Sequence, residues 1–164
     1  MQKIGENITP RRVVSVTAPV IDGYIHGNDN IGVLVCLSRG SREVARDIAM
    51  HVAAVNPTVL SSEQMPTDLI EAEKNIFTAQ ARESGKPEEI IEKMISGRIN
   101  KFLKENSLLD QAFVKDPDVT IRKFLENNDS EITSYHRFEV GEGIEVDRTD
   151  FASEVAAQIQ SIDK

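Results

Sequence analysis

The chain has 164 residues, of which 40% are hydrophobic and 28% charged, a composition typical of one soluble folded domain. Its 19 Lys and Arg and 27 Asp and Glu give a net charge of −8, which disfavours a nucleic-acid-binding protein because such a protein needs a basic surface. No stretch approaches the roughly 18 apolar residues of a membrane span, and the single cysteine, Cys36, cannot form an internal disulfide. We therefore expect a cytoplasmic protein with neither a nucleic-acid nor a membrane partner.

The first 40 residues have the pattern of β-strands. Val14 and Val16 alternate with polar residues, which predicts a first strand. Residues 21–26 predict a second strand, and a Gly-Asn-Asp-Asn turn follows at residues 27–30. Residues 31–37 are nearly all apolar, as in a central strand. These segments predict a hairpin or a three-stranded meander.

A helix is predicted directly after this sheet. Ser41 is a plausible N-cap, and Asn56-Pro57 ends the helix because the residue before proline disfavours helical backbone. The apolar residues at helical spacing are Val44, Ala45, Ile48, Ala49, Val52 and Val55. This stripe predicts that the helix covers one face of the sheet.

Residues 67–106 predict two helices joined by a short turn at Gly85, with Pro87 near the start of the second helix. The apolar stripe of each helix is narrow, and charged residues surround it. This pattern predicts an antiparallel helical hairpin that projects into solvent.

The last third of the chain predicts a short helix, a strand and a final helix. The short helix begins at Asp118 or Thr120, and the strand runs over residues 131–140. The strand residues predicted to share one face are Ile132, Ser134, His136, Phe138 and Val140. Thr149 begins the final helix, which carries Phe151 in its apolar stripe.

These elements predict an α+β fold in which a small antiparallel sheet of about three strands packs with helices. Residues 1–66 and 107–148 form the predicted core. Residues 67–106 form the hairpin insertion, and residues 149–164 form a C-terminal helical module.

Few residues suggest chemistry. No nucleotide-binding loop, paired-cysteine motif or metal-ligand spacing is present. His51 and His136 lie among apolar residues, so half-buried, hydrogen-bonded histidines are favoured over catalytic or ligand roles. Cys36 alternates within an apolar strand, which favours an inert buried thiol. An enzyme that uses His26, His136 and Glu139 is therefore disfavoured against a protein-binding domain.

Two exposed positions are candidates for a binding surface. His26 lies at the end of a predicted strand, next to a turn, where a side chain can contact a partner. Phe113 and Val114 lie in a predicted loop and form either an exposed apolar contact or a buried anchor, of which the anchor is favoured.

Several stretches of the chain resemble the C-terminal part of the elongation factor Ts family. They occur in the family's order and cover nearly the whole chain. These stretches are KIGENITPRR (3–12), YIHG (24–27), IGVLV (31–35), DIAMHVAA (47–54), SGKPEEIIEKMISGRINKF (84–102), RFEVGEGIE (137–145) and TDFASEVAAQ (149–158).

The resemblance implies the second half of a duplicated α+β core with a protruding helical hairpin. It implies an exchange factor that binds elongation factor Tu and speeds GDP release. Such a factor has no enzymatic chemistry, no cofactor and no metal of its own, and it does not bind the nucleotide directly. The partner contacts that the resemblance implies are Ile4, Gly5, His26, Phe113, Val114, Lys115, Asp150 and Phe151. Lys115 departs from the family, which often has an apolar residue there.

The resemblance also implies that the family's small N-terminal domain and first core half, with a Thr-Asp-Phe-Val segment, are absent from this chain. We therefore expect binding without full exchange activity. The alternative is a scaffold that forms a homodimer through the hairpin at 67–106.

Overall fold

The computed structural model describes residues 12–27, 29–83 and 85–143 of the chain. Some sequence predictions fall on the remaining residues and so lie outside the described part. These are the partner contacts at Ile4, Gly5, Asp150 and Phe151 and the final helix at 149–164.

A β-hairpin forms the first regular structure. Strand β1 (Val20–Ile25) pairs antiparallel with β2 (Ile31–Arg39). Residues 12–18 form no strand, so the strand predicted at Val14 and Val16 is wrong. Val14 is 42% exposed, and the alternation of valines there does not correspond to a buried sheet face.

Strand β2 lies at the centre of a three-stranded sheet. Strand β5 (Glu131–Glu139) pairs antiparallel with its second edge, which gives the order β1-β2-β5. Val33, Val35 and Leu37 of β2 are buried in the core. The nearly continuous apolar run of β2 thus fits its central position, as the sequence predicts.

A β-bulge interrupts the pairing between β2 and β5. Leu37 pairs with Ile132, but the neighbouring Cys36 pairs with Ser134. Thr133 is therefore the extra residue on β5. Because strand side chains alternate between faces, one extra residue exchanges the two faces of β5 beyond this point.

The bulge makes the predicted shared face of β5 wrong. Ile132 faces the core, and beyond the bulge Tyr135 packs against the same core. His136 lies on the opposite face of the sheet, where it pairs with Leu34. Val140 follows the end of the strand and is 73% exposed.

Helix α1 (Arg42–Val55) covers one face of the sheet, as predicted. The Ser41 Oγ accepts a hydrogen bond from the Val44 N–H at 3.2 Å, and Asn56 ends the helix in a left-handed conformation with φ 52°. Val55 is 41% exposed, so the buried stripe is shorter than the sequence suggests. The fully buried apolar residues of α1 are Ala45, Ile48, Ala49 and Val52.

Helices α2 (Thr67–Glu83) and α3 (Glu88–Asn106) pack against each other, and Gly85 occupies the connecting turn with φ 65°. Ala81 and Ile91 are the buried residues of this described pair. The division of the pair from the core as an inserted domain stays a prediction.

The end of α3 is bound to the core by main-chain contacts. The Thr58 N–H donates to the Asn106 carbonyl at 2.9 Å, and Val59 forms a parallel bridge with Ser107. Leu108, directly after this bridge, is fully buried in the core. The base of the helical pair is thus continuous with the packed interior.

Two short strands and a short helix complete the core. Strand β3 (Ala112–Phe113) pairs with β4 (Asp116–Thr120), and helix α4 (Ile121–Asn127) follows directly. The Thr120 Oγ1 accepts from the Lys123 N–H at 3.3 Å, which identifies Thr120 as the helix start. None of the helices in the described ranges is long and apolar enough to cross a membrane.

Candidate functional site

His26 follows β1 at the turn of the hairpin. Its N–H donates to the Ile31 carbonyl at 2.9 Å, and its carbonyl accepts from the Asp29 N–H at 2.8 Å. The imidazole is exposed, with Nδ1 lying 3.4 Å from the Tyr24 hydroxyl. The turn therefore fixes the main chain and leaves the ring accessible. The exposed placement predicted for His26 is confirmed, whereas a role in binding stays a prediction.

The turn between β3 and β4, which we call the 113–115 turn, has a buried and an exposed half. Phe113 is 3% exposed, and its ring centroid lies 4.4 Å from that of Phe124 and 6.1 Å from that of His51. Val114 is 43% exposed. The sequence offered a buried anchor or an exposed contact for this pair. The structure buries Phe113 as an anchor and leaves Val114 exposed, and a contact through Val114 stays a prediction.

Lys115 is held against helix α1. Its Nζ lies 2.6 Å from the Asp47 Oδ1, and its side chain is 48% exposed. A partly exposed ion pair of this kind contributes at most about 1 kcal/mol to stability. It nevertheless limits the directions that the Lys115 charge can take beside Val114.

His51 is fully buried below the 113–115 turn. Its Nε2 lies 2.9 Å from the Gln111 Oε1, and its Nδ1 accepts a hydrogen bond from the Val114 N–H at 3.3 Å. Burial lowers the pKa of His51, and the hydrogen bond with Gln111 opposes that shift in part. The predicted hydrogen-bonded histidine is confirmed, but its burial is complete rather than half.

Sequence reasoning did not find the contact between His51 and Val114. The two residues are 63 positions apart, and no local pattern in the chain joins them. The signal that was available is a histidine on the apolar side of α1, which indicates a buried polar group that needs partners.

His26 and the 113–115 turn form two separate patches. The described contacts of His26 lie within the β1–β2 hairpin. Those of the 113–115 turn lie on α1 and α4. The structure therefore places the predicted contact residues that it describes, His26 and those of the 113–115 turn, on different elements of one core.

The side chains considered for an enzyme are not assembled. Strand β2 lies between β1, which leads to His26, and β5, which carries His136. The described hydrogen bond of the His26 ring is with the Tyr24 hydroxyl of β1, not with His136. Glu139 pairs with Arg137 at 2.8 Å, and Cys36 is buried as predicted. No group of three metal-ligating side chains occurs within the described ranges.

Comparisons with known proteins give one consistent family. A family model described as "Elongation factor TS" matches residues 1–142. The chain is 57% identical over 159 residues to elongation factor Ts of Cellvibrio japonicus, covering 97% of this chain and 55% of that protein. It is 52% identical over 160 residues to elongation factor Ts of Hahella chejuensis, covering 98% and 56%. The chain thus spans about half the length of these curated relatives.

Proposed function

This chain belongs to the elongation factor Ts family, and we propose that it binds elongation factor Tu in the cytoplasm and takes part in guanine nucleotide exchange. The family match includes both patches, since it covers residues 1–142. We propose His26 and the 113–115 turn as partner contacts, together with Ile4, Gly5, Asp150 and Phe151 from outside the described residues.

The observation that carries this proposal is the division of the 113–115 turn. Phe113 anchors the turn in the core, and Val114 beside it exposes 43% of its surface. An apolar side chain on an anchored turn loses little conformational entropy on binding, because its main chain is already ordered. Such residues are suited to the desolvated centre of a protein interface.

Two polar side chains add to the apolar contact of Val114: Lys115 lies in the same turn, and His26 lies on the separate patch at the β1–β2 turn. The exposed imidazole of His26 can donate or accept a hydrogen bond. Lys115 remains 48% exposed while paired with Asp47, so it offers a positive charge at the edge of the Val114 contact. A polar residue beside an apolar contact, as Lys115 is beside Val114, is usual at the rim of a protein interface, and His26 would form a second contact of its own.

Exchange follows from differential binding. A protein that binds nucleotide-free elongation factor Tu more tightly than the GDP complex lowers GDP affinity, and GDP lowers its affinity by the same factor. This activity needs no cofactor and no bond chemistry from the chain. For these 164 residues taken alone, we expect binding to elongation factor Tu but only partial acceleration of GDP release.

The test measures binding and release separately. The chain is titrated into nucleotide-free elongation factor Tu in a calorimeter, and release of fluorescent GDP is followed with and without the chain. We expect a complex in the calorimeter and partial acceleration of release. Absence of a complex with nucleotide-free protein at micromolar concentrations would refute the proposed function.

A second candidate function is self-association through α2 and α3. Leu69, Ile76 and Ile90 on these helices are 39%, 49% and 46% exposed, so apolar surface remains beyond the contact between the two helices. Sedimentation at several concentrations distinguishes this function, since a strict monomer over that range excludes a homodimer.

A further inference from the structure

A row of polar groups crosses the interior from the end of α3 to the 113–115 turn. The Gln111 Nε2 donates to the Glu105 carbonyl at 2.6 Å, and the Gln111 Oε1 lies 2.9 Å from the His51 Nε2. On the other side of the imidazole, the Val114 N–H donates to Nδ1 at 3.3 Å. His51 is 0% and Gln111 6% exposed, so water does not substitute for these partners.

The Glu105 carbonyl at one end of the row and the Val114 N–H at the other determine which nitrogen of the His51 ring carries a hydrogen. A backbone carbonyl only accepts, so the Gln111 amide nitrogen faces Glu105 and its oxygen faces His51. The His51 Nε2 must therefore carry a hydrogen. The Val114 N–H only donates, so Nδ1 must carry none. The neutral Nε2–H form of His51 is the one that satisfies every member of the row.

Helix α1 contacts all three residues of the turn through two side chains one helical turn apart. The His51 ring packs beside Phe113 and accepts from the Val114 N–H, and Asp47 pairs with Lys115. Of these contacts, the one from Nδ1 acts on the main chain of Val114. It thereby orients the residue whose side chain is exposed.

We propose that His51 is a positioning residue for the proposed contact with elongation factor Tu. Its neutral Nε2–H tautomer holds the Val114 N–H and so fixes how the 113–115 turn presents Val114. The hydrogen bond from the Val114 N–H to His51 is present in the free chain. Only its consequence for partner binding rests on the proposed function. Burial of His51, which lowers its pKa, favours the same neutral form.

Two matched variants distinguish the hydrogen bond at Nδ1 from the hydrogen bond at Nε2. His51→Asn places an amide oxygen near the position of Nδ1, so it keeps an acceptor for the Val114 N–H and loses the donor to Gln111. His51→Gln places an amide nitrogen near the position of Nε2, so it keeps the donor and loses the acceptor. Both variants remove the aromatic ring, so each is the other's control for lost packing.

The first measurement is the ratio of two amide hydrogen-exchange rates, that of Val114 divided by that of Val35. Val35 lies in the central strand, so its rate reports opening of the core. We expect this ratio to rise about tenfold in His51→Gln and to stay within about twofold of wild type in His51→Asn. Binding to elongation factor Tu should follow the same order, with about tenfold weaker binding for His51→Gln. Equal losses in the two variants would show that His51 only packs and would overturn the proposal.

The second measurement needs no variant and so does not depend on how the variants fold. Long-range proton–nitrogen correlation spectra of the wild-type chain identify which ring nitrogen of His51 is protonated. We expect a hydrogen on Nε2 and none on Nδ1, and the opposite pattern or an imidazolium at pH 7 would overturn the proposal. If the wild-type chain failed to bind elongation factor Tu, the proposed function would be refuted. The ratio of the Val114 and Val35 amide hydrogen-exchange rates would still decide whether His51 binds the Val114 N–H.

Discussion

The rings of Phe113 and Phe124 lie 4.4 Å apart and are tilted by 30°, which fixes a tight turn to the short helix that follows it. This contact separates the two roles within the 113–115 turn. Phe113 belongs to the core, and Val114 is left on the surface. Stability and binding should therefore respond to different residues of one turn.

Phe113→Ala should destabilise the chain by about 3–5 kcal/mol, because it removes a buried ring and leaves a cavity beside Phe124 and His51. Val114→Ala, at the adjacent exposed position, should change stability by no more than about 0.5 kcal/mol. Urea unfolding of both variants measures these differences. Equal stability of the two variants would contradict the assigned roles. In binding to elongation factor Tu, Val114→Ala should weaken the affinity although the fold is intact.

His26→Ala should weaken binding to elongation factor Tu and leave the melting temperature nearly unchanged. The ring is exposed, and the turn is held by main-chain bonds that alanine keeps. Thermal unfolding and calorimetric titration give the two quantities. Lys101→Ala on α3 is a suitable control, since it removes an exposed side chain outside both patches. A large fall in melting temperature would show instead that His26 is structural.

His51 should make part of the stability dependent on pH. Its pKa is lowered in the fold, so below about pH 6.5 the unfolded chain binds a proton that the folded chain excludes. The stabilising contribution is therefore complete above that pH and is lost as the pH falls through the folded pKa. The elements around His51 also carry charged residues, among them Asp47, Glu105, Asp110, Lys115 and Arg122.

Chemical unfolding between pH 7.5 and about pH 5 measures this contribution. Wild type should lose more stability over this range than His51→Asn, which has no titrating ring at the site. The surrounding carboxylates are common to both proteins, so the difference between the two curves reports His51. Parallel curves would mean that His51 does not exclude the proton.

Tyr135→Phe should cost about 0.5–1.5 kcal/mol, because the Tyr135 hydroxyl donates to the Pro57 carbonyl at 2.8 Å. Burial raises the pKa of Tyr135 to about 12. Its contribution is thus present below about pH 10, the ordinary tyrosine value, and is lost as the pH rises through 12. Urea unfolding at pH 7 and pH 11 tests both statements, and identical losses of stability for the two proteins between these pH values would argue against the raised pKa.

Local patterns predicted much of the fold. Ser41 and Thr120 cap helices because a side-chain oxygen can satisfy a free N–H of the first turn. The apolar run of residues 31–37 predicted the central strand. These features depend on neighbours in sequence, which a single chain displays directly.

The errors came from long-range pairing. The bulge at Thr133 depends on how β5 meets β2, and it exchanges the faces of His136 and Ile132 without any break in the local alternation. The valines at 14 and 16 alternate as a strand does, but they pair with no neighbouring strand among the described residues.

The candidate site shows the same limit. The exposed position of His26 follows from its place beside a turn. The split between Phe113 and Val114 follows from contacts with Phe124 and His51, which lie elsewhere in the chain. The sequence therefore identified His26, Phe113 and Val114 as candidates but could not show that Phe113 is buried and Val114 exposed.

The most direct test of the proposed function is the affinity of this chain for elongation factor Tu measured without nucleotide and with saturating GDP. Differential binding predicts a tight complex in the absence of nucleotide and a clearly weaker one with GDP. The ratio of the two dissociation constants should equal the factor by which the chain weakens GDP binding. Equal affinity in both conditions, or no complex in either, would contradict the proposed role in nucleotide exchange.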